Sequence, residues 1–244
     1  MEIAQPSQHK LGQTIAYHLL PGLFILAAYL LLTPFLRKLG LPSSMSLWII
    51  CLLVLAPLEL GILYWQGKKR NGKFSLEGVV LNRKKTPPKE FALWSLVVLA
   101  ASVICFALFS SVDGFLQKLF TWLPEWFFFS NEDLSAYSKT IQFVNWLGIF
   151  LVSGFIGPYI EELYFRGFLL PRMAWMKKSA PLVEAFLFAL YHFWSPWQVI
   201  SRFLAVLPLV YVVNWKKDLR IGVVAHWLLN IAGSLGLLFA IFKV

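Results

Sequence analysis

EELYFRGFLL, residues 161–170, sets two adjacent carboxylates (Glu161, Glu162) and an arginine (Arg166) inside one of the most apolar parts of the chain. The stretch before it, 141–160, carries no charge. Ionisable groups at membrane depth are costly and therefore rare, and each is by default a functional hypothesis. Two later stretches repeat the pattern of polar groups in apolar surroundings: FALYH, residues 188–192, and HWLLN, residues 226–230. The expectation is that these three stretches meet in one buried site.

Composition decides the surroundings. Of 244 residues, 59% are hydrophobic and 14% charged, and the mean hydropathy is +0.68. A soluble domain is about 45–50% apolar and about 25% charged. The chain reads as an all-α, polytopic membrane bundle forming one integral-membrane domain over 1–244. The formal charge of +10 sits between apolar runs, as in cytoplasmic loops. Membrane lipids, not nucleic acid, are the expected partners. Cys51 and Cys105 lie within apolar runs and suggest neither a disulfide nor a metal pair. The first fourteen residues show no basic region followed by a cleavage site, so the first apolar run is expected to be retained.

A helix needs about 20 apolar residues to cross the hydrocarbon core. Runs of that kind fall at 15–36, 45–66, 91–112, 141–161, 181–194, 197–215 and 221–242. Seven spans are expected, or eight if 113–140 hides another. FLQKLFTWLPEWFFF, residues 115–129, is too broken to span; an interfacial helix in an aromatic belt is the better reading, with a lid as the alternative. The stretch 67–90 holds eight Lys and Arg, which makes it cytoplasmic by the positive-inside bias. Alternation puts the N-terminus and the basic turns 171–180 and 215–220 on that side too, with Arg37 and Lys38 dissenting.

Spacing supports convergence. Lys177 lies 16 residues after Glu161 and 15 before His192, so a helical hairpin turning there brings both to roughly 20 Å from its tip. His226 and Asn230 lie roughly 9 and 15 Å from Arg220 on the same basis. The site is expected to open toward the cytoplasm. Gly154, Gly157 and Pro158 allow a kink just before it. Glu162 and Arg166, four apart with the acid first, form a favoured helical pair, which leaves Glu161 free for chemistry. Glu59, Glu184, His18 and Arg202 are read as ordinary groups that either pair within the bundle or lie nearer an interface.

With these residues in hand, the chain resembles the CAAX protease and bacteriocin-processing (Abi) family of intramembrane endopeptidases. Its pattern EExxxR, FxxxH, HxxxN stands here as Glu161-Glu162…Arg166, Phe188…His192 and His226…Asn230, with catalytic core 140–235. The resemblance implies that Glu161, His192, His226 and Asn230 are catalytic, with Glu162, Arg166 and Phe188 supporting. Glu161, aided by His192, would activate water, and His226 and Asn230 would hold the oxyanion. No cofactor is favoured; the alternative is zinc or another divalent metal on Glu161, His192 and His226, although no H-E-x-x-H motif is present. The expected substrate is a membrane-anchored peptide or protein, and the expected location the bacterial cytoplasmic membrane. Competing readings are a non-enzymatic immunity, scaffold or transport protein, and a proton-coupled carrier.

Overall fold

The computed structural model describes residues 6–242; the reading made of the first five residues lies outside them. Seven helices longer than ten residues are present among the described residues. They are α1 (Leu11–Lys38), α2 (Ser43–Asn71), α3 (Pro88–Gln117), the composite α4 (139–169), α5 (Ala180–Tyr191), α6 (Val199–Lys216) and α7 (Leu219–Phe242). The only bridge among the described residues is isolated, between Arg83 and Asp218. The all-α reading is thus met. Six helices are long and apolar enough to cross a membrane, with Lys139–Tyr191 counted as one, in place of seven or eight. The discrepancy lies at 181–194. There α5 has only 12 residues, about 18 Å, and stops short of a crossing. Leu31, Leu53 and Leu108 are 79%, 69% and 71% exposed, which suits lipid contact on the outer faces.

Helix α4 changes its winding three times. A regular stretch, Lys139–Gly148, passes into the π-helical Ile149–Ile156. One α turn, Gly157–Glu161, follows, and then a second π-helical stretch, Glu162–Leu169. Prolines account for part of this. Pro158 has no N–H, and Ser153 is the residue five before it. Pro171 stands four and five residues after Gly167 and Arg166. The missing donors leave carbonyls that other segments must satisfy. The Asn230 side chain donates to the Ser153 carbonyl at 2.9 Å. The Leu81 N–H donates to the Gly167 carbonyl at 2.8 Å, and the Asn82 side chain to the Arg166 carbonyl at 3.0 Å.

The loop between α2 and α3 therefore plugs one end of the bundle. Val79 and Val80 are buried, and Arg172 donates to the Val79 carbonyl at 3.0 Å. Asn82 takes φ +59°, a left-handed conformation that Asn tolerates better than most residues. Its carbonyl accepts from the Leu219 N–H at 2.7 Å, and the Lys84 N–H reaches the Lys217 carbonyl at 2.9 Å. Buried Asp218 accepts from the Thr86 N–H at 2.8 Å. On the same end the His9 N–H donates to the Arg172 carbonyl at 2.9 Å. The four basic segments that the sequence assigns to one side do meet on one face.

The opposite face is closed by residues 118–138. No helix longer than one turn forms there among the described residues, so the expected interfacial helix is replaced by a broken cap. Pro124 interrupts it, and Phe127 is buried. Tyr29 donates to the carbonyls of Trp126 and Phe127. Trp197 packs against Phe120, Phe127 and Phe128. Glu132 accepts from Arg37, the Ser43 N–H and Tyr137, each at 2.7 Å, which explains a basic residue on this side.

Asn82→Ala removes the amide that caps the Arg166 carbonyl and is expected to cost about 1–3 kcal/mol, read as a lowered unfolding midpoint in detergent; Asn82→Gly, which keeps the backbone conformation accessible, isolates the amide's share. A second expectation concerns acid. His9 stacks on Tyr17 at 5.0 Å, and burial, then the Arg172 charge, hold its imidazole down to about 4 from 6.5. A lowered folded-state value favours the neutral ring, so its contribution is complete above 6.5 and lost as pH falls through about 4. Hydrogen exchange of residues 8–14 should rise across that window, and His9→Phe should abolish the dependence.

Candidate active site

The site is assembled from α4, α5 and α7 around one buried cation. Arg166 is fully buried. Its Nη1 lies 3.3 Å from Glu162 Oε1, and its Nε lies 3.4 Å from Glu184 Oε1. The guanidinium also lies over the Phe188 ring, 4.0 Å from its centroid. A buried charge requires such compensation. The Glu162–Arg166 pair is as the spacing indicates. Glu184, read from the sequence only as an ordinary group, is its second acid. Nothing in the sequence pairs residues 18 apart across a turn, though a carboxylate in the apolar stretch after a buried arginine was the available signal.

Glu162 has a further partner. His226 Nδ1 stands 3.1 Å from Glu162 Oε1. A carboxylate beside an arginine is an acceptor, so the His226 proton sits on Nδ1 and Nε2 faces away from Glu162. That Nε2 lies 3.9 Å from Glu161 Oε2. Gly222 makes the approach possible, because a Cβ there would stand 2.6 Å from Glu162 Oε2.

His192 does not ride on a helix face as the hairpin picture supposed. Helix α5 ends at Tyr191, and His192 is the residue beyond it, with φ −79° and ψ 55°. Its Nδ1 donates to the Phe188 carbonyl at 2.9 Å, one of the acceptors freed by the end of the helix. The ring is walled by Phe188, Tyr191 and Trp194, at 4.8, 4.9 and 4.9 Å. Its Nε2 is therefore the unprotonated nitrogen of the neutral ring, and it points at Glu161 Oε1 from 4.0 Å.

Glu161 is thus flanked by two imidazoles at nearly equal distance, each too far for a direct hydrogen bond. Asn230 is close by but not free: one of its two amide hydrogens is held by the Ser153 carbonyl. All four residues line one cavity of about 670 Å³. Its walls are largely apolar, with Leu47, Leu55, Phe106, Val206 and Leu229 among them. Arg202, taken from the sequence as an ordinary group, also lines it. Arg202 Nη2 donates to Ser195 Oγ at 3.0 Å and Gln198 Oε1 at 2.7 Å, which braces the turn that carries His192.

The fit to zinc is poor. Ligand atoms around tetrahedral zinc, with bonds of about 2.0–2.1 Å, stand about 3.3 Å apart. Glu161 is 3.9 and 4.0 Å from the two rings, and among the described residues no group of three His, Cys, Asp or Glu forms a metal-holding set.

The fold and cluster define a helical membrane protein with a buried acid–imidazole site. Residues 143–232 match the family described as type II CAAX prenyl endopeptidase Rce1-like. That stretch contains all three motifs, and the match agrees with the motif resemblance. No curated protein and no solved structure matches the chain.

Glu184→Ala leaves Arg166 with one acid in a dry interior. Breaking such a cluster is expected to cost about 3–5 kcal/mol, measured as loss of the folded fraction during thermal unfolding in detergent.

Proposed function

We propose that the chain is an intramembrane endopeptidase in which Glu161 activates a water molecule. The observation that carries this reading is the placement of the Glu161 carboxylate between His192 Nε2 at 4.0 Å and His226 Nε2 at 3.9 Å, at the base of the cavity. A gap of that size suits a bridging water. Glu161 takes a proton from this water, and His192, whose Nε2 is an acceptor, shares in holding it. The hydroxide attacks the peptide carbonyl.

The two histidines are backed differently, and this separates their roles. His192 Nδ1 donates to a neutral carbonyl. His226 Nδ1 faces a carboxylate, which offsets positive charge on that ring. His226 is therefore the ring suited to carrying a proton on Nε2 and donating to the oxyanion. The second amide hydrogen of Asn230 is the other donor. Each such donor is worth about 10²–10³ in rate. Proton return from Glu161 to the leaving amine completes hydrolysis. The peptide is the substrate class, drawn from chains held in or at the membrane; the endopeptidase description of the matched family supports an enzyme over a scaffold or carrier.

The test uses full-length protein in lipid with a synthetic peptide library read by mass spectrometry. Glu161→Gln should abolish cleavage while leaving the unfolding midpoint near that of the native chain, His226→Asn should lower it by about 10²–10³, and a chelator should leave the native rate unchanged. Cleavage by the Glu161→Gln chain would refute the assignment, and a chelator-sensitive rate would refute the metal-free version.

A further inference from the structure

The cavity runs away from the basic face. On α4 its wall continues from Glu161 back through Gly157 and Ser153 to Ile149, 12 residues back along the helix. On α7 it continues from His226 through Ser234 to Leu237. Both directions lead to the cap formed by residues 118–138, and Phe129 and Ser130 of that cap close the chamber. A second chamber of about 410 Å³ shares Ser44, Phe129, Ser130, Ile149 and Leu237 with the first. It adds Glu132, Asp133 and Gln142 together with Leu134 and Ile241, so the passage toward the cap continues between mixed polar and apolar walls.

The other direction is shut. Residues 162–170 are all buried, and Arg166, Glu162 and Glu184 fill the interior there. Beyond them the 79–86 loop is bonded to α4 and to the turn before α7. No residue of the basic segments 67–90, 172–180 or 215–220 lines the cavity. This reverses the expectation that the site opens on the basic side.

Charge identifies the two faces. Fifteen Lys and Arg lie in the basic segments and at Lys10, against four at the other end among the described residues, Arg37, Lys38, Lys118 and Lys139. Cytoplasmic loops carry that excess. Together the two observations place the mouth of the cavity on the non-cytoplasmic face. We infer that the site is entered from the side opposite the basic loops, past Phe129 and Ser130, and that its substrates are membrane-anchored chains that present the scissile segment on that side. The substrate half of this inference rests on the proposed endopeptidase reading; the direction of entry does not.

The test is sided thiol labelling in intact cells that express the full chain, with Cys51 and Cys105 replaced by Ser. Ser130→Cys reports the mouth, Lys178→Cys the basic face, and Ser153→Cys the cavity wall. A membrane-impermeant methanethiosulfonate added outside should modify Ser130→Cys and Ser153→Cys, and should modify Lys178→Cys only after permeabilisation. Modification of Ser130→Cys only after permeabilisation would overturn the orientation. Modification of Ser153→Cys only from the Lys178 side, or from neither side, would overturn the route. The same labelling repeated in Glu161→Gln should be unchanged, because access does not depend on cleavage; loss of cleavage without a change in labelling therefore bears on the chemistry alone. In the active chain, modification of Ser130→Cys by a bulky reagent from outside should abolish peptide cleavage, and an undiminished rate would exclude this passage as the substrate's path.

Discussion

A guanidinium removed from water and lipid alike must find its counter-charge within the protein, and Arg166 ties the site together for that reason. Glu162 comes from its own helix and Glu184 from the next, and the face of Phe188 covers it. The pattern spacings then have a physical meaning. The arginine four residues after the acid pair neutralises the second acid, which is left to orient His226. The phenylalanine four before His192 serves twice: its ring lies on the arginine, and its carbonyl fixes the tautomer of the imidazole. Three stretches far apart in sequence are held in one register by a single buried charge.

Backbone satisfaction supplies the second constraint. Pro158 within α4 and Pro171 just beyond it withhold donors at two places, and each deficit is met from elsewhere in the chain. Asn230 meets the one on the cavity side of Glu161, and the 79–86 loop meets the one on the basic side. The amide of Asn230 is thereby anchored as well as offered to the cavity. Holding a polar group by one of its two hydrogens is a way to aim the other, and it costs less mobility than a free side chain would bring.

Much of this was legible in the sequence. Uninterrupted apolar runs gave a helical membrane bundle, and helical spacing paired Glu162 with Arg166. Equal distances from Lys177 anticipated that Glu161 and His192 would face each other. What stayed hidden depended on partners that periodicity does not encode. Helix α5 ends at Tyr191, so His192 meets Glu161 from a turn, not from a helix face. Its apolar run resembles a span in composition although only 12 residues are helical. Glu184 and Arg202 look alike in sequence, each one charge in an apolar stretch. Only packing distinguishes the acid that neutralises Arg166 from the cation that borders the cavity. The inferred direction of the cavity runs against the expectation from sequence, which uses the basic turns as the reference for depth. They are the nearest landmarks, but the loop that joins them is also the plug.

The 79–86 loop bears on how this architecture can be divided. It lies outside the matched stretch 143–232, yet it supplies the N–H and amide groups that complete the backbone of the helix that carries Glu161. The matched segment is accordingly not a module that could be excised or grafted. Chimeras between relatives would need their crossover placed so that the α2–α3 connection and α4 are inherited from the same parent.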